Sequence, residues 1–303
     1  MDKPKLIMMV GLAASGKSHK ATELSEEYNA EIFSSDKLRE EMFDDVNHQD
    51  DNSKLFAELH RRIRECLKSG KSAIYDATNL NYKKRMAFLA ELKNIPCEKI
   101  CVLMATPYEE CVKRNAMRER NVPEYVLKRM YTTITIPYYY EGWDEIQIEY
   151  ADNSIGYYGT YTSFITDYED YDQHNSHHKL TLGEHCKLTN LNTQLRGASR
   201  AACLAAAIHD CGKLETAVFK DSHGNDTDEC HYYNHQYTGG YKALFFDTYG
   251  LVNNILDVAI RVMWHMQNYF NKEEKTKEKY RKLWGEELYN DIMKLHEADK
   301  ISH

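Results

Sequence analysis

Several features that would assign a chain to a simple class are missing from this sequence. Its apolar runs fall well short of the ~20 residues that a membrane-spanning helix needs. The short apolar run after Lys5 is also too brief for a signal sequence. The 8 cysteines include no C-x-x-C pair, which argues against a disulfide framework. We therefore expect a protein of the reducing cytoplasm with no membrane partner.

Positive charge is also scarce. Lys and Arg number 39 against 47 Asp and Glu, and the net charge of −8 argues against a general duplex-DNA binder, whose surface is usually basic. A small anion-binding site lined by arginines is compatible with that charge. The 303 residues are enough for two domains, and 42% hydrophobic with 28% charged residues is an ordinary globular composition.

Residues 11–18 match the phosphate-binding P-loop pattern G-x-x-x-x-G-K-[ST]. An apolar run of strand length precedes them and a helical pattern follows, so the strand–loop–helix order is complete. In such a loop, backbone N–H groups and the helix dipole face the phosphates. The ordinary alternative is a glycine-containing turn between a strand and a helix. The full match predicts a nucleoside triphosphate site formed by Gly11, Ala13, Ala14, Ser15, Gly16, Lys17 at the β/γ-phosphates and Ser18 at Mg²⁺.

Two charged residues, Asp36 and Arg39, follow the second predicted strand at residues 31–33. An acidic side chain at the carboxyl end of a parallel strand lies where ligands bind. In a kinase it can accept the proton of the attacking hydroxyl, and an arginine nearby can hold a phosphate of the acceptor. The same spacing fits a helix-capping aspartate followed by an exposed arginine equally well.

Further along, Asp76 and Asn79 follow a third strand, at residues 73–75. A carboxylate there can hold the Mg²⁺ shell. On the helix predicted from Pro107, Arg114 and Arg118 are four residues apart and would share one face, with Arg120 close behind. Such a cluster predicts a lid that neutralises a transferring phosphoryl group, although a solvated basic face has the same spacing.

These segments, in this order, resemble the motifs of the phage-type polynucleotide 5′-kinase family over about residues 1–150. The matching segments are 11–18, 35–39, 76–80, 114–123 and the closing segment 137–144. The resemblance implies that Asp36 is the general base and Arg39 holds the acceptor's phosphate. It also implies that Arg114 and Arg118 stabilise the transition state, with Arg118 at the nucleotide and Asp76 and Asn79 on the acceptor side. Small-molecule kinases share much of this layout.

Residues 153–171 are rich in Gly, Tyr and Asp and lose apolar periodicity. We place a domain boundary there, which gives domains of residues 1–152 and 153–303. Beyond it the pattern is helical, at residues 198–208, 251–266 and 274–299, with no strand pattern of comparable strength. The predicted fold is an α/β P-loop NTPase-type kinase with a parallel sheet, followed by an all-α domain.

Eleven of the 14 histidines lie after Tyr171, and one belongs to an adjacent pair, His209-Asp210. Imidazole and carboxylate together suit Mn, Fe, Co, Ni or Zn better than Ca, and such a pair can bind one ion or bridge two. Two ions can polarise a phosphate oxygen and supply a hydroxide nucleophile. A single histidine on a helix is more often structural.

The order His185…His209-Asp210…Asp299 resembles the HD phosphohydrolase superfamily, an all-helical fold, over roughly residues 170–303. The resemblance implies that these four residues are the core metal ligands. His235 and His265 match the extra histidines of members with two metals, and His231 competes with His235 for one of these positions. Lys213 matches the H-D-x-G-K extension and would act in catalysis.

The two halves together predict a bifunctional enzyme that heals cleaved RNA. The kinase, with ATP and Mg²⁺, would phosphorylate the 5′-hydroxyl, and the phosphohydrolase would clear a 3′ or 2′,3′-cyclic phosphate. Its partners would be nucleic-acid ends, RNA before DNA, and a separate ligase. One alternative is a nucleoside or small-metabolite kinase fused to an HD nucleotidase. Another is a nucleotide-sensing regulatory module, against which the intact Lys17, Asp36 and His209-Asp210 argue.

Overall fold

The computed structural model describes residues 3–45, 50–176, 178–270 and 273–302. The chain divides into two compact units: Met1–Leu127 with Pro137–Ala151, and Lys128–Ile136 with Asp152–His303. The sequence boundary at 152/153 assigned the short segment 128–136 to the first domain, whereas its contacts group it with the second unit. Among the described residues, every helix is too short or too polar to cross a membrane.

The first unit alternates strands and helices. Its strands are β1 (Lys5–Val10), β2 (Glu31–Ser34), β3 (Ala73–Asp76), β4 (Glu98–Ala105) and β5 (Glu145–Tyr150). Its helices are α1 (Lys17–Tyr28), α2 (Ser35–Phe43), α3 (Asn52–Lys68), α4 (Tyr82–Glu91) and α5 (Tyr108–Ala116), with a 3₁₀ turn at Tyr139–Glu141. Helix α6 (Glu124–Tyr131) begins in this unit.

The strands of the first unit form one parallel sheet in the order β2-β3-β1-β4-β5. Ile7 on the central strand lies opposite Ile74 on one side and Ile100 on the other, and all three are buried. A parallel sheet covered on both faces needs such continuous apolar strands. Because the strands run the same way, β1, β2 and β3 all end at one edge of the sheet, where ligands bind in this class of fold.

The second unit is mainly helical. Its helices are α7 (Tyr161–Asp167), α8 (Leu182–Leu195), α9 (Arg200–Ile208), α10 (Lys213–Thr216), α11 (His235–Ala243), α12 (Ile255–Trp264), α13 (Gln267–Phe270), α14 (Glu274–Trp284) and α15 (Glu286–Lys300). The helical pattern over residues 274–299 is therefore divided in two, and the break is at Gly285, whose φ is 79°.

The second unit also contains an antiparallel hairpin that the sequence pattern did not predict, formed by β6 (Ala217–Lys220) and β7 (Asp226–Tyr232). Every β6 side chain is exposed, so this strand has no apolar alternation by which to recognise it. The connecting loop is held locally, because the Asp221 carboxylate accepts hydrogen bonds from the backbone N–H groups of His223 and Asn225.

Close backbone contact brings the second unit's polar residues together. The alanine-rich helix α9 is almost completely buried, and His209 and Asp210 follow it directly. A Cβ on Gly212 would clash with the carbonyl oxygen of His235 at the start of α11. Glycine at position 212 therefore allows α11 to begin beside the His209-Asp210 pair.

Candidate functional sites

The P-loop lies between β1 and α1 with the backbone geometry that its glycines permit. Gly16 immediately precedes α1 with φ 98°, a left-handed conformation that strongly favours glycine. The backbone N–H of Gly11 donates to the carbonyl oxygen of Thr78 over 3.1 Å, which ties the loop to the end of β3. Thr106 Oγ1 donates to the Ser15 carbonyl oxygen over 3.0 Å and supports the loop from β4. The loop is thus held by both neighbours of β1.

Lys17, the first residue of α1, is buried within the loop. Its Nζ donates to the carbonyl oxygen of Leu12 over 2.5 Å and lies 3.5 Å from Ser15 Oγ. Burial lowers the pKa of the Lys17 ammonium, while the nearby Asp76 carboxylate partly opposes that shift. The cation therefore lies within the curve of the loop, where phosphate oxygens would replace its present partners.

Ser18 and Asp76 meet at the carboxyl edge of the sheet. Ser18 Oγ donates to Asp76 Oδ2 over 2.9 Å, and Asp76 is buried. A hydroxyl and a carboxylate side by side beside a P-loop form the kind of oxygen pair that holds Mg²⁺ or its waters. Both roles predicted for Asp76, in the Mg²⁺ shell and on the acceptor side, stay predictions.

Asp36 and Arg39 lie on the first turns of α2, directly after β2. Arg39 Nη1 is 3.1 Å from Asp36 Oδ1, and Arg39 Nη2 donates to Asn52 Oδ1 over 2.9 Å. Arg39 is only 6% exposed, so the interpretation of this segment as a helix-capping aspartate followed by an exposed arginine is wrong on the arginine. Within the described residues, its buried Nε has no hydrogen-bond partner. A buried guanidinium with a free donor beside an exposed carboxylate is suited to recognise an anion that enters next to that carboxylate.

The arginines expected on one helix face are arranged differently. Helix α5 ends at Ala116, so Arg118 lies beyond it and does not share a helical face with Arg114. The chain turns there because the Asn115 side chain bonds both the N–H and the C=O of Val122, over 2.9 and 2.8 Å. Arg114 pairs with Glu110 one turn earlier, at 3.0 Å.

The charge of Arg118 nevertheless affects Lys17. Burial is the main cause of the lowered pKa of the Lys17 ammonium, Asp76 and Cys111 oppose it, and the Arg118 charge adds a smaller lowering. An arginine beyond the end of α5 can therefore add positive charge at the phosphate site. The helical spacing predicted from the sequence does not account for its position.

Asn79, in the loop after β3, forms a hydrogen bond with β1. It has φ 48°, and its Nδ2 donates to the Met9 carbonyl oxygen over 2.9 Å. Its own carbonyl oxygen accepts from Arg85 Nη1 over 2.8 Å, and Arg85 forms a buried, two-bond ion pair with Glu141. These contacts fix the loop after Asp76, and the acceptor role of Asn79 stays a prediction.

In the second unit, the six side chains predicted as metal ligands lie together around Asp210. Asp210 Oδ2 is 3.4 Å from the Nε2 atoms of both His185 and His209. Its other oxygen, Oδ1, is 3.3 Å from His235 Nε2 and 3.6 Å from His265 Nε2. Each carboxylate oxygen thus faces its own pair of histidines, and the first pair is joined by Asp299, whose Oδ1 lies 3.1 Å from His185 Nε2.

The other ring nitrogen of each histidine fixes its orientation. In all four, Nδ1 lies within hydrogen-bond distance of a backbone carbonyl oxygen. These pairs are His185 with Ser302 at 2.9 Å, His209 with Ala206 at 2.8 Å, His235 with Tyr232 at 2.8 Å and His265 with Val262 at 2.7 Å. A neutral imidazole that donates from Nδ1 has its lone pair on Nε2, the arrangement of metal-ligating histidines.

In their neutral forms, the rings of each pair would direct these lone pairs at one another. The Nε2 atoms of His185 and His209 are 3.1 Å apart, and those of His235 and His265 are 3.2 Å apart. A cation between each pair turns this repulsion into attraction. Buried groups of His185, His209 and Asp210, and of Asp210, His235 and His265, each have three ligand atoms within 4.8 Å of one another. Such nitrogen–oxygen sets fit Mn, Fe, Co, Ni or Zn.

The charges in this cluster keep its carboxylates ionised. Burial alone would raise the pKa of Asp210, but the neighbouring His209 ring, the Lys213 ammonium and the hydrogen bonds with His185 and His235 hold it well below its usual range. Burial likewise opposes ionisation of Asp299, whose hydrogen bonds with His185 and His209 hold its pKa well below the usual value. Burial lowers the pKa of His185, but the two carboxylates outweigh it and raise that pKa to about 9.

Lys213 has two neighbours that the sequence reasoning missed. Its Nζ lies 2.7 Å from Asp210 Oδ2, 2.7 Å from Gln173 Oε1 and 3.1 Å from His178 Nε2. Gln173 and His178 are single residues in an irregular segment, so no spacing pattern could have identified them. On the other side, Tyr269 Oη donates to Asp299 Oδ2 over 3.0 Å and orients that carboxylate.

Comparison with known proteins matches residues 6–137 to the family model described as "AAA domain". Together with the parallel sheet, this match places the first half of the chain in a P-loop kinase-type α/β fold. The family model ends before the histidine cluster begins. No curated protein matches the chain.

Among the similar solved structures are the following three, whose TM-scores are all below 0.4. The structure of the Pnkp1/Rnl/Hen1 complex is 21% identical with TM-score 0.35, covering 41% of this chain and 43% of that one. APS kinase CysC of Mycobacterium tuberculosis is 17% identical with TM-score 0.38, covering 49% and 90%. A gluconokinase of Sinorhizobium meliloti 1021 is 16% identical with TM-score 0.36, covering 50% and 85%.

Proposed function

We propose that this chain is a bifunctional enzyme that heals nucleic-acid ends, with one active site in each unit. The first phosphorylates a 5′-hydroxyl with ATP, and the second removes a 3′ or 2′,3′-cyclic phosphate. The observation that carries the proposal is the position of Asp210, whose two oxygens each face a pair of histidines. A second phosphate-handling site in the same chain as a P-loop kinase unit is what the repair of a cleaved RNA needs.

In the kinase, ATP arrives with Mg²⁺ as the substrate. The curved P-loop backbone and Lys17 hold the β- and γ-phosphates, and the Ser18–Asp76 oxygen pair lies where the accompanying Mg²⁺ and its waters bind. Asp36 accepts the proton of the attacking 5′-hydroxyl. Arg114 and Arg118 neutralise the charge of the transferring phosphoryl group.

The surroundings of Asp36 favour an acceptor that carries a phosphate beside its hydroxyl. Arg39 is buried, fixed by Asn52 and 3.1 Å from the Asp36 carboxylate. A 5′-hydroxyl at Asp36 would place the 3′-phosphate of the same nucleotide within reach of this guanidinium. A plain nucleoside or a sugar offers no such group, so we favour a polynucleotide acceptor over the small-metabolite alternative.

In the phosphohydrolase, His185, His209, Asp210 and Asp299 would hold one divalent metal ion, and His235 and His265 would complete a second site with Asp210. When bound, such ions act as Lewis acids on phosphate oxygens. Lys213, held between Asp210 and Gln173, is the cation available to a phosphate of the substrate. The buried Nδ1 contacts to backbone carbonyls keep the histidines in the ligating orientation.

The natural substrates would be RNA ends of the kind that RNase-type cleavage leaves, and a separate ligase would join the healed ends. The test is a screen of purified protein on defined acceptors. Labelled ATP is supplied with 5′-hydroxyl oligonucleotides, nucleosides or sugars, and phosphate release is measured from oligonucleotides with 3′-phosphate or 2′,3′-cyclic phosphate ends. Labelling of oligonucleotides together with release from at least one 3′ end supports the proposal. Labelling of nucleosides or sugars alone contradicts it.

A further inference from the structure

Asp36 has a guanidinium on each of its two oxygens. Arg39 Nη1 lies 3.1 Å from Oδ1, and Arg120 Nη1 lies 3.6 Å from Oδ2. The two arginines differ in character. Arg39 is buried and fixed by Asn52, whereas Arg120 is on the loop after α5 and its side chain is 42% exposed.

The loop that carries Arg120 has a defined base. Asn115 is a buried residue, only 7% exposed. Its side chain forms hydrogen bonds with the backbone N–H and C=O of Val122 and so joins the two ends of residues 116–121. The Arg118 N–H also donates to the Asn115 carbonyl oxygen over 3.3 Å. Arg118 and Arg120 therefore belong to one small closed loop, and the guanidinium of Arg120 lies at Asp36.

Asp36 can act as a general base only through an oxygen that the acceptor hydroxyl can approach. Oδ1 is engaged by the fixed, buried Arg39. The hydroxyl must therefore approach Oδ2, where Arg120 now lies. The pair between Arg120 and Asp36 is exposed, so it is weak enough for a substrate to displace.

We propose that Arg120 is an acceptor-binding residue that selects polynucleotides. An entering 5′-hydroxyl displaces Arg120 from Asp36 Oδ2, and the released guanidinium then binds a backbone phosphate of the acceptor strand beyond the one at Arg39. An acceptor of one nucleotide must also displace Arg120, but it has no further backbone phosphate for the released guanidinium to bind. The role rests on the proposed kinase function and extends it, because it assigns the preference for a strand over a mononucleotide to one side chain.

The test compares two acceptors that differ only in the additional phosphates. Steady-state phosphorylation is measured with a short 5′-hydroxyl oligonucleotide and with the nucleoside 3′-monophosphate of its first residue. The variants are Arg120→Ala, Arg120→Lys and, as a matched control, Lys113→Ala. Lys113 is an exposed cation on α5, close in the sequence but outside the loop.

For Arg120→Ala we expect the ratio of kcat/KM for the oligonucleotide to that for the mononucleotide to fall about tenfold, the scale of one charge-assisted contact. The loss should be in KM for the oligonucleotide, with kcat retained. The slope of log KM against log salt should fall by roughly 0.7, the value for one phosphate contact on a single strand. Arg120→Lys should recover part of the ratio, and Lys113→Ala should match the wild type.

A ratio unchanged by Arg120→Ala would overturn the inference while leaving the kinase in place. So would an equal fall of kcat for both acceptors, since Arg120 would then act on the transition state and not on the strand. Wild-type protein that phosphorylates neither acceptor would contradict the proposed kinase function and, with it, this role of Arg120. A circular-dichroism melting curve for each variant separates these outcomes from loss of folding.

Discussion

The Nε2 atoms of His185 and His209 lie 3.1 Å apart, while Nδ1 of each ring is engaged by a backbone carbonyl oxygen. Burial lowers the pKa of His185, but the Asp210 and Asp299 carboxylates raise it to about 9, so without a metal ion this ring holds a proton. A divalent cation between the two rings would take the place of that proton. At the second pair, burial lowers the pKa of His235 and favours its neutral form, whose Nε2 lies 3.2 Å from Nε2 of His265, so a cation is favoured there as well.

We therefore predict that the protein binds about two transition-metal ions through this cluster. Adding Mn²⁺, Ni²⁺ or Zn²⁺ to chelator-treated protein should raise its melting temperature, because a metal at 100 times its Kd stabilises the folded state by about 2.7 kcal/mol. Elemental analysis after gel filtration gives the metal content. Asp210→Ala should retain little metal, since that carboxylate serves both histidine pairs.

Two further variants make this prediction specific. His265→Ala removes a ligand from the second set alone, so about half of the metal should remain. Asp226→Ala removes a carboxylate that is 88% exposed in the hairpin and should leave the metal content unchanged. Wild-type protein that takes up no metal under any of these conditions would contradict the assignment.

The parts of this molecule that could be predicted from sequence are those specified by neighbouring residues. The P-loop is one, because a strand, a glycine-rich turn and a helix start follow each other directly and bring Gly11, Lys17 and Ser18 to one place. The histidine cluster is another. The resemblance, carried by the order of His185, His209-Asp210 and Asp299, predicted which side chains lie together, although they come from three separate helical segments.

The parts that could not be predicted depend on contacts between residues that are not adjacent in the sequence. The end of α5, which separates Arg118 from Arg114, depends on the bonds from Asn115 to Val122. The place of β5 at the edge of the sheet depends on its pairing with β4, for example of Glu145 with Ile100, which lies far earlier in the chain. The partners of Lys213, Gln173 and His178, are separated from it by 40 and 35 residues and follow no recognisable spacing.

For the kinase site, Asp36→Asn should lower kcat for phosphorylation of a 5′-hydroxyl oligonucleotide by at least about 100-fold, the usual loss when a general base is removed. The amide keeps the shape of the side chain but cannot accept the hydroxyl proton. Phosphate release by the second site should be unaffected. Glu40→Gln, an exposed carboxylate on the same helix, serves as the control. Near-full turnover of Asp36→Asn would show that another group is the base.

The lid arginines should act on the transition state and contribute little to folding. Arg114→Ala and Arg118→Ala should each lower kcat substantially, while the melting temperature stays within about a degree or two of the wild type, because the partly exposed Arg114–Glu110 pair and the exposed Arg118 contribute little to stability. Steady-state kinetics and thermal melts of the same preparations provide the comparison. A large fall in melting temperature with unchanged kcat would indicate a structural role.

The buried ion pair of Arg85 and Glu141, unlike the lid arginines, should contribute mainly to the stability of the fold. Both side chains are at most 1% exposed, and two hydrogen bonds of 2.8 and 2.6 Å join them. Glu141→Ala leaves a buried guanidinium without its counter-charge, and should lower the free energy of unfolding by roughly 3–5 kcal/mol. Urea unfolding measures this loss. Asp144→Ala, an exposed acid in the next turn, should cost far less.

The central claim is that one chain holds two chemically independent active sites for the two ends of a cleaved nucleic acid. The most direct measurement uses one RNA with a 5′-hydroxyl and a 2′,3′-cyclic phosphate, incubated with ATP, Mg²⁺ and Mn²⁺, with both ends read by mass spectrometry. Wild-type protein should modify both ends, Lys17→Ala only the 3′ end and Asp210→Ala only the 5′ end. A wild type that leaves either end unchanged, or a single variant that abolishes both reactions while remaining folded, would contradict the account.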